Sequence, residues 1–192
     1  AGVGPVMAAL LQLIKETAIR IGEATKIRWV DLDSKQRTIR VRAEKGSNPR
    51  IFHISDKLVK MLNRIPKKRE TIFNPNPRIY ENSLARQRKK LAQRLNNPRL
   101  KEIHFHTLRH WKATMLYHQT KDILYVKEFL GHKSLDSTLI YINIEKALFN
   151  SGQPEEFHVK TAQTPEEIKA LLEVGFEYVC EKDGILFFRK RK

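Results

Sequence analysis

Between residues 5 and 26 the apolar positions Met7, Leu10, Leu11, Ile14, Ala18 and Ile21 recur at intervals of three and four, the spacing of one helix face. The pattern predicts a single opening helix. The period then shortens to two: Ile39, Val41 and Ala43 alternate with Arg40 and Arg42, and a second strand-like run covers residues 50–54. Gly46, Ser47, Asn48 and Pro49 mark a turn between them. A hairpin follows, with Lys45 at its bend, one face apolar and the other basic.

Ser55 ahead of Leu58, Val59, Leu62 and Ile65 predicts a capped helix that stops at Pro66. After a loop rich in Asn and Pro, residues 81–95 place Leu84, Leu91 and Leu95 along one side of a helix whose other sides are cationic. From His104 onward the chain reads helix, turn, helix. Asp122 caps a segment that ends at Leu130 and Gly131, and Ser134 caps the next, which contains Tyr141. Beyond about residue 150 the character changes: a linker, a strand at 157–162, a helix with Pro165 in its first turn and a Gly stop, then a hairpin around Asp183 and Gly184. The expected fold class is α+β, a mainly helical domain with a small antiparallel sheet over residues 1–148 and a βαββ extension over 149–192.

Charge narrows the partners. The 192 residues include 37 Lys or Arg against 21 Asp or Glu, a net charge of +16. Such an excess gathers polyanions, nucleic acid first and anionic membrane second. A hydrophobic content of 41% is enough for a core, so the chain is not a basic tail. No apolar run approaches the ~18 residues that suggest a membrane span, which weakens the membrane reading. The single cysteine, Cys180, excludes an intrachain disulfide and a multi-cysteine zinc site, and fits a reducing, cytoplasmic setting.

Several polar residues have ordinary explanations when taken singly. His106 and Arg109 lie three apart, with His110 one turn from His106, and helix-surface residues of these types are usually solvated. Arg20 has Glu23 at i+3 for a surface ion pair. Lys45 is a loop lysine, His132 follows a helix-stop glycine, and Tyr141, beside Leu135, Leu139 and Ile140, reads as a half-buried aromatic.

In chain order, however, TAIRIGEA with Arg20 and Glu23, AEKGSNPR with Lys45, HTLRH with His106 and Arg109, LGH with His132, and Tyr141 nine residues later resemble one known arrangement. It is the catalytic domain of the tyrosine recombinases, the family of phage integrases and Xer-type enzymes, and the resemblance runs from about residue 7 to residue 148. The stretch from His110 to Ser134 is particularly similar to integrases of archaeal plasmids and viruses. Ala18 stands where the family often has Gly, and Lys133 where Ser is frequent.

The resemblance implies site-specific DNA recombination by strand cleavage and rejoining, with Tyr141 as nucleophile forming a 3′-phosphotyrosyl bond. Arg20 and Arg109 then clamp the non-bridging oxygens, His106 and His132 donate hydrogen bonds and assist proton transfer, and Lys45 protonates the leaving 5′ oxygen. Glu23 orients Arg20, and His110 supports the site. Because the covalent link conserves the energy of the broken bond, neither a cofactor nor a metal is implied.

The implied partner is a double-stranded DNA attachment site, with self-association into a tetrameric synapse. Arg40, Arg42, Arg50, Arg86, Arg88, Lys89, Lys90 and Arg94 are the expected DNA contacts, of which Arg86, Arg88 and Lys90 are expected to position the duplex without reading bases. The family's N-terminal core-binding domain has no counterpart in the sequence, so an isolated catalytic domain with weakened DNA binding is expected. Two other readings remain: a non-catalytic DNA-binding module, and a metal-dependent nuclease using His104, His106, His110 and His132. The histidines of the latter lack an obvious carboxylate or cysteine set.

Overall fold

The computed structural model describes residues 4–44, 47–149, 157–182 and 184–191. They form two compact units, Ala1–Leu148 and Phe149–Lys192. In the first, the single opening helix expected from periodicity is two: α1 at Pro5–Thr17 and α2 at Ile21–Thr25. Ala18 breaks the run by turning left-handed, with φ 52°, where its N–H still bonds the Ile14 carbonyl. A left-handed residue other than glycine costs roughly 1–2 kcal/mol. Periodicity does not see this break, because Ala18 and Ile21 stay on the apolar side after it.

Strands β1 (Leu32–Asp33), β2 (Thr38–Val41) and β3 (Arg50–His53) form an antiparallel sheet in that order. Its register pairs Ile39 with Phe52 and Val41 with Arg50. Directly paired residues point to the same face, so Ile39, Val41, Phe52 and Arg50 are buried while Arg40 and Ile51 face out. Two expectations change here: Ala43 lies exposed beyond the strand, and Arg50 is on the inner face.

Helix α3 (Asp56–Asn63) is capped by Ser55, whose Oγ accepts from the Leu58 N–H at 3.1 Å. Helices α4 (Pro77–Arg94), α5 (Phe105–Thr120), α6 (Ile123–Leu130) and α7 (Asp136–Phe149) complete the unit. The inner stripe of α4 is Tyr80, Leu84 and Ala92, not the expected Leu84, Leu91 and Leu95; Leu95 is 59% exposed. Leu91 and Leu95 sit one position away from the 80-84-88-92 row that faces inward. One core joins α1, the sheet and α3 through residues such as Leu10, Leu13, Ile39, Phe52 and Leu58. A smaller cluster joins Ala18, Ala113, Leu116, Val126, Leu130 and Tyr141.

The second unit is β4 (Phe157–Ala162), α8 (Pro165–Glu173), β5 (Glu177–Lys182) and β6 (Ile185–Arg191), the expected βαββ order. Its sheet is antiparallel with strand order β4-β6-β5, and α8 packs on it through Ala162, Leu171, Phe176 and Phe188. Asp183 lies outside the described residues, and Gly184 is left-handed at φ 74°.

Candidate active site

Arg20 and Arg109 line one cleft, although they lie 89 positions apart in the chain. The break at Ala18 sets Arg20 in extended backbone just ahead of α2, where its N–H donates to Glu23 Oε2 at 2.9 Å. Its Nη1 is buried, lies 3.8 Å from Glu23 Oε1 and has no hydrogen-bond partner. Arg109, in α5, is 1% exposed. Its Nη1 donates to the Ala18 carbonyl, and its Nη2 to the Leu130 carbonyl at 3.0 Å. The left-handed turn that frees the Ala18 carbonyl therefore also anchors the second arginine. Burial beside other cations lowers the Arg109 pKa to about 10, which leaves it charged at neutral pH.

A carboxylate joins these elements. Glu23 is 3% exposed and accepts from the Arg50 guanidinium and, at 2.7 Å, from Ser47 Oγ. Arg50 also donates to the Leu130 carbonyl, so the last carbonyl of α6 is held by two arginines. Cations at a helix C-terminus match its dipole. Gly131 ends the helix at φ 69°, and a Cβ there would lie 2.7 Å from Arg50 Nη1. Glycine is needed both for the backbone and for the guanidinium beneath it. The expectation that Arg50 contacts DNA is therefore corrected: with its side chain 7% exposed and committed to Glu23 and Leu130, it braces the interior.

Lys45 lies outside the described residues, but its neighbours are pinned. Glu44 bonds Lys26 at 2.6 Å, Ser47 bonds Glu23, and the Asn48 N–H donates to the Gly131 carbonyl at 3.0 Å. The hairpin is thus tied to α2 and to the turn that carries His132.

His132 is gripped from two sides. Its Nε2 is 2.9 Å from Arg109 Nη2 and its Nδ1 is 2.9 Å from Thr138 Oγ1. Burial, together with Arg109, Arg20, Arg50 and His106, lowers its pKa to about 4, so the ring is neutral at pH 7. Tyr141, three residues after Thr138 on the same face of α7, is 2% exposed and packs in the smaller core cluster. Burial raises its phenol pKa, and the charges of Arg109 and Arg20 oppose that rise. Four residues further on, Glu145 is 3% exposed and bonds Lys121 Nζ and, at 2.8 Å, His118 Nδ1. Two polar attachments flank the tyrosine, while Leu139 and Ile140 point outward at 41% and 46% exposure.

His106 lies in the first turn of α5, exposed, with its ring 4.4 Å from that of His110. The His110 ring in turn lies 5.6 Å from that of Tyr141. Partial desolvation lowers both histidine pKa values, and the neighbouring charge of Arg109 acts in the same direction. A cleft of about 700 Å³ opens beside Arg20, His106 and Arg109, with Lys26 and Arg88 on its walls. Arg88 Nη1 donates to the Ile103 carbonyl at 2.8 Å and meets His104 Nδ1 at 2.7 Å, bracing the start of α5. Arg40, Arg42, Arg86, Lys89, Lys90 and Arg94 are exposed, although Arg42 also pairs with Asp31 at 3.3 Å. Among the described residues no group of three or more His, Cys, Asp or Glu side chains is arranged to hold a metal ion, and no helix is long and apolar enough to cross a membrane.

Sequence reasoning did not single out Arg50 as a buried brace, nor Ser47, Thr138 or Glu145. Signals were present for three of them. Arg50 alternates in phase with Phe52 and Ile54, and Thr138 and Glu145 lie at i−3 and i+4 from Tyr141.

Known proteins share this arrangement of elements. A tyrosine recombinase of Thermosipho africanus is 31% identical over 142 residues, covering 70% of this chain and 48% of the relative. The tyrosine recombinase XerC of Thermodesulfovibrio yellowstonii is 33% identical over 152 residues, covering 71% and 50%. The chain spans about half the length of these relatives. Among solved structures, XerA recombinase superposes with a TM-score of 0.62 at 22% identity, covering 80% of this chain and 60% of that one. The catalytic domain of bacteriophage HP1 integrase gives 0.51 at 26% identity, covering 74% and 77%. With the family model for the phage integrase family matching residues 6–147, nearly all of the first unit, this chain belongs to that family, the tyrosine recombinases.

Proposed function

We propose that the first unit breaks and rejoins DNA strands in site-specific recombination, with Tyr141 as the nucleophile. The observation that carries this reading is the convergence of Arg20, Arg109 and His132 near Tyr141, with a buried Arg20 Nη1 that pairs with Glu23 at 3.8 Å but has no hydrogen-bond partner. A buried donor without a hydrogen bond is costly, and a phosphodiester oxygen would satisfy it. In the step proposed, the Tyr141 oxygen bonds to phosphorus, the 5′ oxygen leaves, and the phenol proton passes to solvent or a neighbouring base. Negative charge grows on the non-bridging oxygens, which the Arg20 and Arg109 guanidinium groups are proposed to stabilise. Lys45 is the proposed donor to the 5′ oxygen, His106 a further hydrogen-bond donor, and Glu23 the orienting carboxylate. His110 supports His106 and Tyr141 from between them.

Duplex DNA is the proposed partner. The reading is supported by the net charge of +16 and by a neighbour of the same fold, XerH site-specific recombinase bound to its palindromic difH substrate, with TM-score 0.60 and 23% identity. Exposed Arg40, Arg42, Arg86, Lys89, Lys90 and Arg94 are proposed phosphate contacts, to which Arg88 can add its remaining N–H groups. Their alanine variants should flatten the salt dependence of binding without changing sequence preference. Self-association on DNA, a DNA-associated cytoplasmic location and an origin in an archaeal plasmid or virus belong to the same proposal.

The test is a nicked suicide duplex carrying the attachment site of the element that encodes the chain. Wild type should form a protein–DNA adduct that survives denaturation, equally well with EDTA present. Tyr141→Phe should lose the adduct and keep most of its binding. An adduct formed by the phenylalanine variant would refute the nucleophile assignment, whereas a wild type that binds without forming one would favour the non-catalytic module.

A further inference from the structure

The two contacts of His132 determine which nitrogen carries its proton. A guanidinium only donates, so the 2.9 Å contact between Arg109 Nη2 and His132 Nε2 makes Nε2 the acceptor. The proton of the neutral ring is then on Nδ1, donated to Thr138 Oγ1 at 2.9 Å. This is the wrong tautomer for the proposed chemistry. The nitrogen beside Arg109, where the phosphate is expected, has a lone pair and no hydrogen.

Thr138 can accommodate the change. A carbonyl or carboxylate at this place would only accept and would hold the proton on Nδ1, and a backbone N–H would only donate. A hydroxyl does either. Thr138 is fully buried in the first turn of α7, so solvent does not stand in for it. Nor is it needed to cap the helix, because Ser134 Oγ accepts from the Asp136 N–H at 3.1 Å. Half-buried His132 retains a route for proton exchange with water.

We propose that Thr138 is a positioning residue whose hydroxyl lets His132 hold its proton on Nδ1 without DNA and present an N–H from Nε2 when a phosphate group engages Arg109. The proposal rests on the strand-cleavage reading above. In the exchange one proton leaves Nδ1 for water and one arrives at Nε2, the Arg109 Nη2 N–H that Nε2 had accepted turns to the phosphate, the ring stays neutral, and the hydroxyl turns from acceptor to donor.

The experiment has two arms on the full chain. In the first, ring nitrogen resonances of His132 are recorded with ¹⁵N labelling, alone and with inorganic phosphate added. Wild type should show the Nδ1–H tautomer alone and shift towards Nε2–H with phosphate. In Thr138→Val the ring N–H should lose protection from exchange, and Thr138→Ser should restore it. In the second arm, cleavage of the suicide duplex should slow about 5- to 30-fold in Thr138→Val, the loss of one hydrogen bond worth ~1–2 kcal/mol, and stay within about threefold of wild type in Thr138→Ser. Where valine prevents folding, Thr138→Ala replaces it.

Wild-type cleavage by a folded Thr138→Val, or an Nε2–H tautomer in wild type both with and without phosphate, would overturn the proposal. If wild type forms no adduct at all, the strand-cleavage reading fails, and the phosphate titration still decides the role of Thr138.

Discussion

Replacing Arg50 with methionine removes a guanidinium from a place where water cannot replace it. Glu23, whose side chain has no exposure, would keep Ser47 and the Arg20 N–H but lose its close cation, and the Leu130 carbonyl would keep only Arg109. Removing one partner of a buried ion pair typically costs about 3–5 kcal/mol. For a unit of this size each kcal/mol lowers Tm by about 2–4 °C, so a fall of roughly 6–20 °C is expected. The assay is thermal and urea unfolding of the full chain, followed by tryptophan fluorescence. Both tryptophans, Trp29 and Trp111, lie in the first unit, so the signal reports the unit that holds Arg50. In a double-mutant cycle, Glu23→Gln should offset at least about 1 kcal/mol of the Arg50→Met loss, as for groups in one network. The competing expectation, from its place in a basic hairpin, is that Arg50 touches phosphate. In that case stability changes by less than about 0.5 kcal/mol, as for surface residues, while the salt slope of DNA binding falls by roughly one. That outcome would refute the burial argument.

Three further outcomes are expected. Ala18→Gly relieves a left-handed alanine costing about 1–2 kcal/mol but loses a buried methyl worth about 0.8 kcal/mol and gains unfolded-state freedom. The urea midpoint should barely move; a loss above about 2 kcal/mol would argue against the left-handed turn. His132, His106 and His110 all have folded pKa values below the ordinary 6.5, so the unfolded chain takes up protons first as pH falls. Stability should be fully present above pH 6.5 and decline towards pH 4, and His132→Gln should flatten that decline in urea titrations at stepped pH. Glu145→Ala detaches the downstream end of α7 from Lys121 and His118, so hydrogen exchange of α7 amides should quicken and adduct formation should slow; unchanged protection would show that apolar packing alone seats Tyr141.

The elements of this chain were legible where a local rule decides them. Ser55, Asp122 and Gly131 mark helix ends through hydrogen bonds made within a few residues, and the alternation in β2 and β3 is a property of extended backbone. The order and spacing of Arg20, His106, Arg109, His132 and Tyr141 were legible too, because they resemble a known family. Burial was harder to read. Leu91 and Leu95 look like core and lie outside, since the inward row of α4 is chosen by what packs against it. The break at Ala18 leaves no periodic trace, because the apolar residues after it fall on the same side.

By itself, the sequence determined which chemical groups are available, most of the helix and strand segments, and that the chain is strongly cationic, all of which follow from residue type and spacing along the backbone. Only the tertiary structure decided what those groups are bonded to. Arg50 became an internal brace because strand register faces it to the core opposite Val41. His132 became an acceptor because Arg109, 23 residues earlier, offers it only donors. A side chain's partner, and with it its charge, tautomer and freedom to act, depends on contacts between segments far apart in the chain, which local spacing does not encode.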